Sequence, residues 1–431
     1  MQNRQGNGGV CTFTTLYLLS PLPAGTPPVP LIYFDLVFLE RSAWRPGHDI
    51  AFAERYPGKD PPGRGISRIT CYWRSDLKLK GLILSGGTGT RLRPITHTSA
   101  KQLVPVANKP VLFYGIEALR DAGIEEIGII VGDTAAEIEE AAGDGGRWGV
   151  SITYIPQEAP LGLAHAVLTA EQFIGEDSFV MYLGDNLLRD GISDLVETFT
   201  RNRPDALILL QAVPNPEAYG VAECDDDIVV RLVEKPQEPK SNLALVGIYM
   251  FTPLIFECAR AIEPSARGEL EITDAIQCLI DKGRRVEPHV VEGWWKDTGK
   301  LEDMLEANRL ILDALEGDIR GAVFDSEIHG RVVIEEGASV SNCTVRGPVI
   351  IGKRAVVHDS YIGPYTSIDC DVEIRNSEIE HSILLEQSKV IDLHGRMEGS
   401  LIGKNVRILR LDHKPRAYRF MVGDNSWIGI V

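Results

Sequence analysis

Paired cysteines are what this chain most plainly lacks. Its seven cysteines, Cys11, Cys71, Cys224, Cys258, Cys278, Cys343 and Cys370, are odd in number and include no C-x-x-C pair. That pattern excludes a zinc site of the usual spacing and a disulfide framework, and it reads as a protein of a reduced cytoplasm. Basic residues are short as well: 44 lysines and arginines face 61 acids, for a net charge of −17. Long-range repulsion then argues against nucleic acid or an anionic membrane as partner, and an anionic ligand has to be met by cations gathered locally. An unbroken apolar run is missing too. "LSPLPAGTPPVPLIYFDLVFL" is interrupted by prolines and by Asp35, so it is no bilayer span, and it lacks the ordered parts of a secretory signal.

What is present is an ordinary globular composition, 44% apolar and 24% charged over 431 residues, enough for two or three domains. Residues 1–78 hold nine of the 25 prolines and no periodic core face; they are expected to be a poorly ordered N-terminal extension, with the working protein starting near Leu79. From there to Gly317 apolar runs alternate with amphipathic segments, which predicts a Rossmann-like, doubly wound α/β domain over 79–317. The expected strands are Leu82–Leu84, Ile127–Val131, Phe179–Leu183, Leu207–Val213 and Leu245–Phe251. "PVLFYGIEALRDAG" reads as a helix started by Pro110 and stopped at Gly123, and "LEDMLEANRLILDALEG" as one stopped at Gly317, with Leu301, Leu305, Ile311, Leu312 and Leu315 on one stripe.

Over 318–410 branched apolar residues recur with a period of 17. Ile328, Val345, Ile362 and Ile379 form one column. Ile334, Ile351, Ile368, Leu385 and Ile402 form a second, and Val340, Val357, Ile374, Ile391 and Ile408 a third. Steps of six, six and five are close to the hexapeptide repeat of a parallel β-helix, with Ile-Gly pairs at 351–352, 362–363 and 402–403 suited to its turns. Arg396 interrupts the first column, and residues 411–431 depart from the repeat as a tail expected to cap it.

The chemistry gathers at Ser85-Gly86-Gly87-Thr88-Gly89-Thr90, directly after an apolar run. Glycines in a turn let backbone N–H groups close around an anion. The loop lacks both the Gly-Lys-Ser/Thr ending of a P-loop and a complete G-x-G-x-x-G, which removes those two nucleotide folds and with them a dehydrogenase. Arg91 follows at once and Lys101 ten positions later. Cations beside an anion-cradling loop suit a polyphosphate, whose charge must be neutralised before a nucleophile approaches.

This segment, together with "LGDN", "VEKP", "RGELEITD" and "WWKDTG", resembles the signature of the sugar-1-phosphate nucleotidylyltransferases, and the resemblance extends from about Leu79 to Arg410. It is strongest to members with a C-terminal extension that act on dTTP and glucose 1-phosphate. The likeness implies transfer of the nucleotidyl group to the sugar phosphate, yielding dTDP-glucose for deoxysugar synthesis, and a left-handed form for the coil. It implies Mg²⁺ as cofactor, held by Asp185 and Asp297, with Arg91, Lys101 and Lys235 as catalytic cations. Gly86, Gly87, Thr88, Gly89, Thr90, Gln157 and Gly162 are expected on the nucleotide, and Tyr219, Gly220, Glu234 and Gly247 on the sugar. In "LVGIY", Val246 stands where the family often has Thr, and "RGELEITD" reads as a structural element beside the sugar. His97 and His165 read as loop and helix residues. Since Gln157 serves thymine and uracil alike, dTTP and UTP stay open, as does an added acetyl transfer of the kind hexapeptide acyltransferases perform. Stacked coils also predict a homo-oligomer.

Overall fold

The computed structural model describes residues 78–410 apart from 88, 98, 226 and 227, together with 420, 422 and 426–429. Residues 1–77 of the expected 1–78 extension, Thr88 and nearly all of the expected capping tail therefore lie outside the described residues. Leu77–Val431 forms one unit, and every described element belongs to it.

Strand β1 (Leu79–Leu84) leads into a loop with 3-10 turns at Thr90–Leu92, Ile95–His97 and Lys101–Leu103. A small hairpin, β2 (Pro105–Val106) and β3 (Lys109–Pro110), precedes α1 (Val111–Asp121). Next come β4 (Glu126–Val131), α2 (Ala135–Ala142), β5 (Ser151–Pro156), α3 (Leu163–Thr169), α4 (Glu171–Ile174), β6 (Ser178–Leu183) and β7 (Asn186–Leu188). The second half runs α5 (Ser193–Asn202), β8 (Ala206–Ala212), β9 (Gly220–Asp225), β10 (Ile228–Glu234), β11 (Leu243–Phe251), α6 (Leu254–Ala261), α7 (Ile272–Asp281), β12 (Val286–Val290), β13 (Trp295–Asp297) and α8 (Leu301–Asp313).

Nine strands make one mixed sheet in which β6, β1, β4 and β5 are parallel neighbours and β11 joins antiparallel to β6. Leu82 and Ile83 are fully buried on opposite faces of β1, one in each of the two apolar layers that helices cover. Both neighbours of β1 end at the same level, so the loops leaving β1 and β6 open side by side, as ligand sites do in such sheets.

The helix at Leu301 is shorter than its pattern predicts. It closes at Asp313 with Ala314 as cap, while Gly317 sits against the Val332 backbone at the entrance to the coil. Its buried face is Met304, Ala307, Asn308 and Leu312, because the coil covers that side.

Three parallel sheets of short strands follow, stepping round in turn, an arrangement consistent with the left-handed β-helix. The period of 17 holds for the early coils and then slips. Ile368 pairs with Leu384 and Ile374 with Val390, not with Leu385 and Ile391, and Met397 takes the place next to Ile379 that Arg396 was expected to interrupt. One residue is lost in the turn after Ile379, and two are gained around His394 before Met397. The slip has a packing reason. Leu384 points into the coil, whereas Ile383 and Leu385 join Leu92, Val104, Val106 and Met304 in a separate buried cluster outside it. The outward column Val333, Ile350, Ser367, Ile383 and Leu401 is the face the coil turns to the α/β layer. At its one polar position Ser367 Oγ donates to Asn308 Oδ1 at 2.6 Å. Asn308, fully buried, also accepts from Ala107 N and donates to the Tyr365 carbonyl. The coil corners are set by Asp325, Asn342, Asp359, Asn376 and Asp392, all at positive φ, which Asn and Asp tolerate best among residues with a Cβ.

Candidate active site

The glycine-rich loop is pinned at its root from both sides. Ser85 N donates to Ile130 O and Gly184 N to Leu84 O, each at 2.9 Å. Gly89 adopts φ +65°, and a Cβ there would come within 2.8 Å of Lys101 Cβ. A Cβ on Gly87 would stand 3.0 Å from Lys101 Cε, so the lysine stem runs along the loop and glycine makes room for it. Ala100 N donates to Glu137 of α2, which fixes the start of the lysine's turn.

Lys101 Nζ ion-pairs with Asp185 Oδ2, and Asn186 Nδ2 donates to Asp185 Oδ1 at 3.1 Å. Burial opposes a charge on Asp185, but the Lys101 ammonium and these hydrogen bonds outweigh it and hold the carboxyl below its ordinary pKa. The short strand β13 pairs antiparallel with β7, placing Asp297 opposite Asn186. Thr298 donates through both N and Oγ1 to the Asp185 carbonyl. Asp297 is pushed up to about 6, first by burial and then by the charge of Asp185, against the pull of Lys101 and Arg91. Two carboxylates 112 positions apart in the chain thus share one pocket beside the loop. Gly299 lets the second one fold back, since a Cβ there would lie 3.3 Å from both of its oxygens.

The donor set fits a hard divalent cation. Two carboxylates raise each other's cost of ionisation, which a cation relieves, and such an ion needs only one or two protein carboxylates when phosphate oxygens complete it. Among the described residues no group of three or more acidic, histidine or cysteine side chains could hold a metal alone.

A second cluster lies at the end of β10. Glu234 pairs with Gly220 across the β9–β10 ladder. Its carboxylate receives Thr273 Oγ1 and Arg267 Nη2, both at 3.2 Å, and Lys235 Nζ at 3.3 Å. Lys235 itself sits at φ +43°, an unfavourable backbone for lysine of the kind that accumulates at functional sites. A groove of about 680 Å³ opens here between β10 and α7, reaching Glu234, Lys235, Arg267, Glu271 and Asp274.

Tyr219 links the two clusters. Its carbonyl accepts from Lys235 N, its ring meets Trp295 edge-on at 5.7 Å, and Trp295 Nε1 donates to Asn186 Oδ1 at 2.6 Å. Burial first, then Asp297, raise the Tyr219 phenol above its ordinary pKa. Gly247 is where β11 approaches Asn186: a Cβ there would lie 2.6 Å from its Oδ1. Gln157 reaches Gly86 from the β5 side, and Gly162, at φ +105°, crosses the Leu270 backbone.

The expected residues Gly86, Gly87, Gly89, Lys101, Asp185 and Asp297 are therefore brought together, with Arg91 close enough for its charge to act on Asp297 and Tyr219. Thr90 is exposed on the same turn. Val246 is fully buried in the layer against which Trp295 packs. Sequence reasoning missed Asn186, Arg267 and Thr273. Asn186 is signalled by its place in "LGDN", and the other two by "RGELEITD", which reads as structural in the sequence although it supplies two of the groups on Glu234.

Residues 80–314 match the family described as nucleotidyl transferase. The chain belongs to that family, and it is an enzyme of nucleotidyl transfer. It is 58% identical over 355 residues to a glucose-1-phosphate thymidylyltransferase of Streptomyces antibioticus, covering 82% of this chain and 99% of that one. A protein of the same description from Streptomyces griseus is 55% identical, covering 81% and 98%. A Bacillus anthracis crystal structure, described as a candidate glucose-1-phosphate thymidylyltransferase with a sucrose, superposes with a TM-score of 0.52 at 39% identity, over 56% of this chain and 98% of that one.

Proposed function

We propose that the chain joins dTTP and glucose 1-phosphate into dTDP-glucose and pyrophosphate, and that the Lys101–Asp185–Asp297 cluster beside the glycine-rich loop is the observation that carries this reading. A sugar-phosphate oxygen attacks the α-phosphorus, the bond from that phosphorus to the β-phosphate bridging oxygen breaks, and pyrophosphate takes the electron pair. A phosphate monoester has its second pKa near 6 and is largely ionised at neutral pH, so no side chain need remove a proton. The work left to the protein is alignment and relief of anion–anion repulsion.

Loop amides from Gly86 to Thr90 and the cations Arg91 and Lys101 hold the triphosphate. Lys235 and Arg267 receive the sugar phosphate, and Glu234, Tyr219, Gly220 and Gly247 shape the sugar pocket. Asp185 and Asp297 hold Mg²⁺, which when bound supplies further charge neutralisation at the phosphates. Gln157 meets the base, with Gly162 turning the chain behind it. We place the reaction in the cytoplasm. The exposed Ile319 and Phe324 at the first coil support a homo-oligomer, which sedimentation at micromolar concentration tests.

The deciding assay follows pyrophosphate release from purified protein given glucose 1-phosphate and each common nucleoside triphosphate. Turnover with dTTP is expected; turnover confined to a purine nucleotide would overturn the reading.

A further inference from the structure

Hydrogen bonding around Gln157 decides which end of its amide turns toward the glycine-rich loop. Nε2 lies 2.9 Å from His165 Nδ1 and 3.5 Å from the Gly162 carbonyl oxygen. A carbonyl only accepts, so the NH₂ group belongs on that side. His165 Nδ1 then accepts a hydrogen bond from the other amide N–H, which is the tautomer with the ring hydrogen on Nε2. Oε1 is left toward the glycine-rich loop, 3.1 Å from where a Cβ on Gly86 would stand.

The imidazole is anchored through its helix. Ala164 N donates to Leu270 O, and Leu270 N to Leu161 O, which ties the start of α3 to the segment before α7. Thr169 Oγ1 donates to the His165 carbonyl at 2.9 Å. The acceptor nitrogen therefore meets Gln157 from a held backbone.

We propose that His165 sets the class of base this enzyme accepts: by accepting a hydrogen bond from Gln157 Nε2 it commits the amide oxygen to the side of the glycine-rich loop, where the base is read to sit. The site then presents an acceptor, which suits the N3–H of thymine or uracil and repels the N3 lone pair of cytosine. The inference rests on the reading of Gln157 as the base contact. Without His165 the amide keeps only its 3.5 Å contact to the Gly162 carbonyl, at the limit of hydrogen bonding, and its NH₂ is free to turn toward the cytosine lone pair. A histidine that only filled space would leave base preference unchanged.

The test measures kcat/KM for dTTP and dCTP in the full chain and its variants, with thermal melts as the check on folding. In His165→Leu the dTTP-to-dCTP ratio is expected to fall about tenfold, because the site no longer offers a fixed acceptor. His165→Phe, a ring without an acceptor, reads the same ratio if leucine is not tolerated. His165→Asn, whose Oδ1 can accept where Nδ1 did, should keep the ratio near the native value. An unchanged ratio in folded His165→Leu or His165→Phe overturns the assignment while leaving the base contact intact. Gln157→Leu separates the other failure: if KM for dTTP does not rise in that variant, Gln157 does not meet the base and the inference falls with it.

Discussion

Asp185 and Asp297 illustrate how one pocket gives two carboxyls opposite tendencies. Lys101 and Asn186 sit on the first and lower its pKa, while burial and the first carboxylate raise the second. Asp297→Asn removes charge without much change of shape, and turnover is expected to fall by about 10²–10³. Asp185→Asn should do the same. The double variant is expected to lose far less than the product of the two, since groups that serve one ion act together. Pyrophosphate release across a Mg²⁺ titration measures all three, and near-native rates at limiting Mg²⁺ in either folded single variant would remove that residue from the site. A different residue-scale effect belongs to Gly162, where a Cβ would come within 2.4 Å of Leu270 O at φ +105°. Gly162→Ala should lose about 2–5 kcal/mol of stability, seen as a lowered denaturant midpoint.

At the scale of elements, β11 shows how a strand serves the core and the site at once. Val246, Ile248 and Met250 face one buried layer; Leu245, Tyr249 and Phe251 face the other. Between Leu245 and Tyr249 the ladder to β8 is irregular, with four steps on β11 against two on β8, and such bulges re-aim a strand near functional sites. Gly247 sits in that bulge, against Asn186. Gly247→Ala should push Asn186 off Trp295 and Asp185, and a displacement of about 1 Å near reacting groups can cost about 10²-fold in rate. Steady-state kinetics on the folded variant checks this; an unchanged kcat would show that Asn186 does not position the site. The coil's register slip is likewise an element-scale result. A strict period of 17 puts Leu385 inside, yet the wall is completed by Leu384, and its two neighbours are spent on the contact with Leu92 and Met304.

Across the whole molecule, Asn308 joins three parts of the chain. It holds the hairpin that follows Lys101 through Ala107 N, it lies on the helix that follows Asp297, and it meets the coil at Ser367 and Tyr365. Asn308→Ala leaves those groups buried without their partner, at a cost of about 2–4 kcal/mol. Calorimetry should show the loss, and turnover measured well below the melt should fall as well, because the segments carrying Lys101 and Asp297 are no longer held to a common base. Native turnover with lowered stability would mean that the contact only supports the fold.

How far the sequence reached depends on what is local in it. A glycine-rich turn after a buried strand, an arginine and lysine close behind it, and the alternation of apolar runs are decided by neighbours in the chain, so the α/β architecture, the glycine-rich loop and the coil were readable without coordinates. Asp185, Asp297 and Glu234 were picked out by the resemblance of their motifs to the family, since a lone acid at the end of a strand reads locally as a turn or cap. Tertiary structure alone decided which distant pieces share a pocket: the pairing of β13 with β7 brings Asp297 to Asp185, and Arg267 reaches Glu234 across 33 positions of chain. It also decided where the coil slips, since that depends on a surface contributed by other elements, and which way the Gln157 amide faces, since that depends on a carbonyl and a ring nitrogen that no periodicity records.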